Sequence, residues 1–490
     1  MRLTPLLIVP ACALAGCATF CPVELPADTY AIVASKAVMD DPEWKAAAVD
    51  VLAAKHPGAQ VLVWEANPNE VKAELAKSQP SFTAFVVKPT QAGVSMTIAL
   101  SNLCRALDDD PYVDTFWGVI TGYDAEAARA LSAAGPIAIE RALDCAGCDL
   151  TAFDKAWRYT EDHRGTMNFW ERGVTDTVQD IPCDTDNTQG VLERLQKDNI
   201  QFMTTSGHAT QRDWQMGYSG PNMAMVHKDG RLISVDTKKQ RHAAGSAEPK
   251  VYFGTGNCLI GDVDKPDCMV LSWLKDGGAR QFMGYTITTW FGAQGWGTQG
   301  LFVDTAGLTT ANEAFHFTNT GIVEKIRSYG IPDMMDFRFT EIKASGNFPV
   351  TPGMQRWAVG LAKSGKTQEA VAKALQERVG HLHDRDVVCF YGDPALDARI
   401  ADGRWEVDPP HVDGAGALVL TLHAEDGVRD GTVWVRLPGS WAYAPAVLQA
   451  PEALGKPDLT LDNMIRFPNA KPVAGETYRV RIPGAVRKGS

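Results

Sequence analysis

No stretch of this chain is long and apolar enough to cross a bilayer: the greasiest run, Leu3 to Ala15, falls short of the about 20 residues a membrane helix needs. Clusters of Lys and Arg are missing too. With a formal charge of -12, the chain has no basic patch with which to displace counterions from a phosphate backbone, which excludes a nucleic-acid partner. Its partners are expected to be proteins, peptides or small molecules. A second Cys-x-x-Cys is lacking, so Cys145-Ala-Gly-Cys148 has half a zinc or redox site at most and reads as a local disulfide or two inert thiols. Internal repeats and low-complexity linkers are absent as well, and the chain has to be divided by its texture alone.

What is present is an ordinary globular composition, 45% apolar and 22% charged, in 490 residues. That length exceeds the size at which one core stops growing, so two or three domains are expected. The amino terminus reads Met1-Arg2 and then the apolar run, the layout of a secretion signal. It ends on Leu14-Ala15-Gly16-Cys17, which resembles the lipobox of bacterial lipoproteins. The resemblance implies removal of residues 1–16, lipidation of Cys17, and stable membrane attachment by acyl chains contributing about 0.8 kcal/mol per buried methylene. Residues 17–39 would then be a tether. Thr19, rather than aspartate, stands second after Cys17, which favours the outer over the inner membrane of the cell envelope. Outside the cytoplasm disulfides are permitted, but their connectivity is not legible in sequence.

Residues 40–403 alternate short apolar runs with helical stretches, the rhythm of an α/β fold with a mostly parallel sheet flanked by helices. Val61 to Trp64, Phe82 to Val87, Phe116 to Thr121, Ile200 to Met203, Val251 to Phe253 and Phe282 to Thr286 read as strands, most of them continuous hydrophobic runs suited to burial on both faces. A division into two subdomains is expected near 150–190. Met223 to Val226 and Leu232 to Val235 flank Lys228-Asp229-Gly230 as an inserted hairpin. Thr367 to Val379 has helical spacing and leads through His381-Leu382-His383-Asp384, read as a solvated connector because no third metal ligand accompanies it, into a strand at Val387 to Tyr391. Residues 404–490 change to alternating strands between Gly, Pro and Asp turns, a small β-sandwich of immunoglobulin size.

Two strands end on chemistry. One is followed by Ser206-Gly207-His208-Ala209-Thr210 and another by Gly256-Asn257-Cys258-Leu259-Ile260-Gly261-Asp262. Residues beyond the carboxyl ends of neighbouring parallel strands converge in one crevice, where an imidazole can raise the thiolate fraction of a thiol. Taken singly, a histidine or cysteine at a strand end is more often a packed residue.

The ordered set of motifs resembles the gingipain family of cysteine peptidases, relatives of caspases and legumains. Cys258-Leu259-Ile260-Gly261-Asp262 resembles the family's Cys-Val-Asn-Gly-Asp; Gly277-Gly278, Gly284-Tyr285-Thr286 and Gly295-Trp296-Gly297 resemble the glycine-rich stretches after it. Pro111 to Gly118 resembles the segment carrying an acid that orients the histidine, and Phe390-Tyr391-Gly392-Asp393-Pro394 resembles the Gly-Asp-Pro motif that closes the catalytic unit ahead of a β-sandwich. The resemblance implies a cysteine-type endopeptidase with Cys258 as nucleophile, His208 as general base and acid, Asp114 as orienting carboxylate, and the amides of Cys258 and Ala209 as oxyanion hole. It implies a peptide or protein substrate, no cofactor and no metal.

Ala209 stands where the family has glycine and Asn257 where it has alanine, and these departures motivate a second reading, a catalytically inactive binding or scaffolding lipoprotein. A third leaves recognition to the β-sandwich. Asp213, Asp262 and Asp264 are the acids nearest the dyad in sequence, and Trp214, Trp290 and Trp296 suit either a substrate cleft or a core.

Overall fold

The structure, a computed structural model, describes residues 28–220, 222–339 and 350–488. Cys17 and the residues before it lie outside the described residues. The body is a twelve-stranded sheet. In chain order its strands are β1 (Tyr30–Ser35), β2 (Gln60–Trp64), β3 (Phe82–Val86), β4 (Phe116–Ile120), β5 (Arg141–Cys145), β6 (Lys155–Arg158), β7 (Thr166–Glu171), β8 (Gln179–Pro182), β9 (Phe202–Gly207), β10 (Lys250–Asn257), β11 (Ala279–Tyr285) and β12 (Val388–Tyr391). They lie in the order β2-β1-β3-β4-β12-β11-β10-β9-β5-β6-β7-β8. Pairing is parallel throughout except at β11–β12 and at the β6-β7-β8 end, so β11–β12 is a seam at which two parallel blocks run in opposite directions.

The strand texture read from the sequence is explained by burial. Every residue of β1, β3, β4, β9, β10 and β12 is buried, and such strands need no alternation because helices cover both faces. β2, at the sheet edge, exposes Val61 and Val63. At the seam's flank Tyr252 stacks on Phe282 at 4.6 Å and meets Trp273 at a tilt, 4.5 Å away, while Phe202 and Phe253 pack with Phe302. Aromatic pairs at these spacings add about 0.5–1.5 kcal/mol each beyond the area they bury.

Three expectations are corrected. Residues 28–39 are not tether: β1 pairs with β2 and β3 and is wholly buried, because Tyr-Ala-Ile-Val-Ala-Ser is as apolar as the strands around it. The 150–190 stretch is no boundary either, since it supplies β6, β7 and β8 to the same sheet. His381 to Asp384 is not a solvated connector but the last turn of the helix Gln368–Asp384, with His383 and Asp384 buried and Asp384 accepting from the Tyr285 hydroxyl at 2.9 Å.

The inserted hairpin sits in a small antiparallel sheet of Asp213–Gln215, Ala224–Lys228, Arg231–Val235 and Arg241–Ala243. The carboxyl-terminal strands form separate antiparallel sheets around their own core of Leu420, Leu422, Val435, Phe467 and Val480. Arg436 joins this unit to the body through Asp28 and Glu313, and Trp434 stacks on Phe317 at 5.2 Å.

Candidate active site

β9 and β10 are parallel neighbours with Ser206 opposite Gly256 and Gly207 opposite Asn257. His208 and Cys258 are the next residues, so both leave the sheet at one edge and side by side. The register shifts at Thr205/Ser206, with Thr255 as the extra residue of a bulge, a device that re-aims side chains at a strand end. Thr255 turns its hydroxyl to the Thr205 carbonyl, 2.8 Å away.

Asn257, one of the two departures from the family pattern, staples these strands together. Wholly buried, it accepts from the Thr205 hydroxyl at 2.6 Å and donates from Nδ2 to the Gly207 carbonyl at 3.1 Å. Alanine there would leave those groups to find other partners, so the residue before Cys258 fixes the spacing of the two strand ends.

His208 is exposed, and its main chain is clamped: its N–H donates to the Gly217 carbonyl at 3.1 Å and its carbonyl accepts from Gln215 at 2.7 Å. Gly207 makes this possible. At φ 130° and with a Cβ position 2.2 Å from the Gln215 oxygen, only glycine fits without displacing the loop. The imidazole meets the edge of Tyr218, ring centroids 5.4 Å apart. Tyr218 is in turn fixed by its hydroxyl to Ser206 Oγ at 2.6 Å and the Gly256 carbonyl at 3.1 Å, and by its N–H to Glu161 at 2.7 Å. No motif singles out Tyr218 or Glu161 in the sequence. Among the described residues no hydrogen bond ties the His208 ring to a carboxylate.

The Cys258 thiol is half-buried and unbonded to any other cysteine. Its sulfur accepts the Thr289 N–H at 3.3 Å, from the loop that follows β11. Leu259 then takes a left-handed conformation and the chain doubles back along β11, with Leu259 N on the Ile287 carbonyl and Gly261 N on the Tyr285 carbonyl. Asp262, at the end of this reversal, accepts from Val94 N at 3.1 Å and from Gln211 Nε2 at 3.0 Å, tying the helix Val94–Leu103 to the loop after His208. Burial pushes the thiols of Cys268 and Cys389 up to about 12 and those of Cys104, Cys145 and Cys148 well above the ordinary value. Cys145 and Cys148 are free, so the pair consists of inert thiols and not of a disulfide.

Ala209 forms a bridge with Trp214 in which the flanking residues carry the bonds, Gln215 N to His208 O and Thr210 N to Asp213 O. In an antiparallel pair of this kind the bridged residue turns its own N–H away from the partner strand. Trp214 itself is fully buried, a core residue.

Asp114 is not brought to His208. It precedes β4, and β12, β11 and β10 lie between that strand and β9; at about 4.8 Å per strand the separation is roughly 19 Å. Its carboxylate accepts from Leu107 N at 2.8 Å and lies with those of Asp108 and Asp110 in a group whose oxygens are within 4.8 Å of one another. Sequence proximity to a strand placed it at the right kind of position on the wrong strand. Burial first, and then the neighbouring Asp108, Asp110 and Asp462, push Asp114 up to about 9; Asp110 is pushed up to about 6 by burial and by Asp108 and Asp462. Lys488, 3.8 Å from Asp108 and 3.1 Å from Asp462, is the cation facing the group. The folded form therefore holds protons that the unfolded chain releases near pH 4, and stability should fall as pH rises from about 4 toward 9. Melting curves should show a lower midpoint at pH 8 than at pH 5, with a smaller drop in Asp114→Asn.

No family model and no curated protein matches the sequence. In structure the chain is similar to the Arg-specific cysteine proteinase gingipain R, at 13% identity and a TM-score of 0.40, over 95% of this chain and 98% of that one. It is also similar to a solved structure described as a protease, at 10% identity and a TM-score of 0.41, over 94% and 96% of the two chains.

Proposed function

We propose that this protein is a cysteine-type peptidase acting through Cys258 and His208. The observation that carries the reading is the register of β9 and β10, which delivers an exposed imidazole and a free, half-buried thiol to adjacent strand ends. His208 takes the thiol proton as sulfur attacks the peptide carbonyl carbon, and the oxyanion is met by the N–H groups of Cys258 and Ala209. The C–N bond then breaks as His208 returns the proton to the leaving amine. Water, deprotonated by His208, attacks the thioester and releases the acid and the thiol. The substrate is a peptide or protein, and the site is read as tethered to the cell envelope through a lipid on Cys17.

The rate of Cys258 alkylation by iodoacetamide against pH tests this, in a Cys183→Ser background because Cys183 is the other partly exposed thiol among the described residues. Wild-type Cys258 should be alkylated at least tenfold faster than Cys258 in His208→Ala at neutral pH, because the imidazole is there to take the thiol proton. An unreactive Cys258, or a profile that His208→Ala leaves unmoved, would sink the dyad. A second reading, binding without turnover, is favoured by the absence of a carboxylate on the His208 ring among the described residues; under it the two profiles coincide.

A further inference from the structure

The sequence has no run of Lys and Arg, yet the fold gathers cations from separated segments at one place. Beside the amino ends of β10 and β11, at the far end of the strand that leads to Cys258, lies an open cavity of about 570 Å³. Its wall carries Arg231 from the small antiparallel sheet, Ser246 from the segment before β10, and Lys275, Asp276 and Arg280 from the chain entering β11. Asp276 ties the three segments together: its Oδ2 accepts from Leu232 N at 2.9 Å and its carbonyl accepts from Ser246 N at 2.9 Å. Lys275 is engaged by Asp124 at 2.8 Å.

Arg231 and Arg280 have no carboxylate partner among the described residues. Arg231 is exposed. Arg280 is half-buried and donates from Nη1 to the carbonyls of Ala279 at 3.1 Å and Leu274 at 3.5 Å, and burial pulls its guanidinium below the ordinary value. Next to it Lys250 is fully buried, and its ammonium donates to three neutral oxygens, the Gly277 carbonyl at 2.7 Å, the Glu248 carbonyl at 2.5 Å and Ser246 Oγ at 3.1 Å. Burial pulls Lys250 down to about 7; the Glu248 charge opposes this and the Arg280 charge adds to it. In a chain of formal charge -12, cations withdrawn from water without a carboxylate leave a positive field on an open space. An oxyanion from solution would meet charge-assisted donors already in place.

A single carboxylate matches one guanidinium fork. A phosphate monoester carries about two negative charges at neutral pH and offers three acceptor oxygens, enough for two forks. Leu232, Ile233 and Ala243 line the remainder of the cavity, which suits a phosphoryl group carried on a larger molecule.

We propose that the cavity between Arg231 and Arg280 is a binding site for the phosphoryl group of a phosphate monoester. The site is independent of the peptidase reading and needs no turnover to test. Isothermal titration of the full-length chain with glycerol-1-phosphate, at pH 7.5 and fixed ionic strength, is expected to show one saturable site, with acetate at least tenfold weaker. Arg280→Gln should weaken binding at least tenfold and Arg231→Gln severalfold. Because Arg231 is exposed, its variant keeps the test decisive if Arg280→Gln does not fold. Arg356→Gln, on the helix Pro352–Lys363 and no part of the cavity wall, should bind as the wild type does. Dihexanoyl phosphatidate below its micellar concentration distinguishes the sources of the ester: tighter binding than glycerol-1-phosphate assigns a lipid headgroup, and weaker binding a soluble ester. No saturable heat, equal affinity for acetate, unchanged affinity in both glutamine variants, or inorganic phosphate binding tenfold tighter than the ester would overturn the proposal.

Discussion

Cys258→Ala is expected to lower peptide hydrolysis by about 10³-fold or more, and Asp114→Asn to change it by less than about twofold. Groups that act as one unit are lost together: once the thiol is gone, His208 has nothing to deprotonate, so the Cys258→Ala, His208→Ala double variant should be no slower than Cys258→Ala alone. Additive losses would mean that the two side chains do separate work. Asp114 is the discriminating control because the sequence pattern places it in the site and the sheet does not. Its carboxylate bonds Leu107 N at the head of β4, with three strands intervening before β9. Steady-state kinetics on a peptide amide would read all four proteins, and an Asp114→Asn loss approaching that of Cys258→Ala would contradict the arrangement described above.

The strands, and the position of His208 and Cys258 just beyond two neighbouring strand ends, were legible because they depend on short-range texture: a buried parallel strand is a continuous apolar run, and its carboxyl end is where the chain turns polar. β1 has that texture and was still misassigned, because a cysteine suited to lipidation lies 13 residues before Tyr30 and drew its surroundings into a tether. The orienting carboxylate failed for a different reason. Strand order is set by long-range pairing, and nothing local to Pro111–Gly118 reveals that β12, arriving from residue 388, lies between β4 and the block that ends on His208 and Cys258. Tyr218 and Glu161 were missed because their roles come from contacts across 57 positions of sequence. Asn257 departs from the motif, yet its amide is satisfied on both sides by β9, through partners about 50 positions away in sequence. The helix Gln368–Asp384 ran on past Val379 because Asp384 is paid for by Tyr285 and by Gln294 N, partners that a local pattern does not contain.

Asp393→Ala is expected to destabilise the protein by about 3–5 kcal/mol, the usual cost of breaking a buried ion pair from one side. The Asp393 side chain is completely buried, and it gathers Lys55 Nζ at 2.7 Å, His56 Nε2 at 2.8 Å, the Tyr30 hydroxyl at 2.8 Å and Ala395 N at 3.0 Å. Burial alone would raise its pKa, but the His56 hydrogen bond and the Lys55 charge outweigh it and hold the group down at about 2. A carboxyl depressed in the folded state contributes stability that is fully present above its unfolded value near 4 and is lost as pH falls through about 2. Urea unfolding followed from pH 6 to pH 2 should therefore show a fall in wild-type stability below pH 4 that is smaller in Asp393→Ala, and parallel curves would refute the assignment. The same variant should also slow alkylation of Cys258, because Asp393 closes the strand whose Tyr391 hydroxyl holds the Gly261 carbonyl at 2.7 Å, and Gly261 belongs to the reversal that sets the sulfur under Thr289. The Gly-Asp-Pro motif is thus coupled to the thiol through one strand and one hydroxyl, and Tyr391→Phe should reproduce the loss of reactivity without the acid-dependent loss of stability.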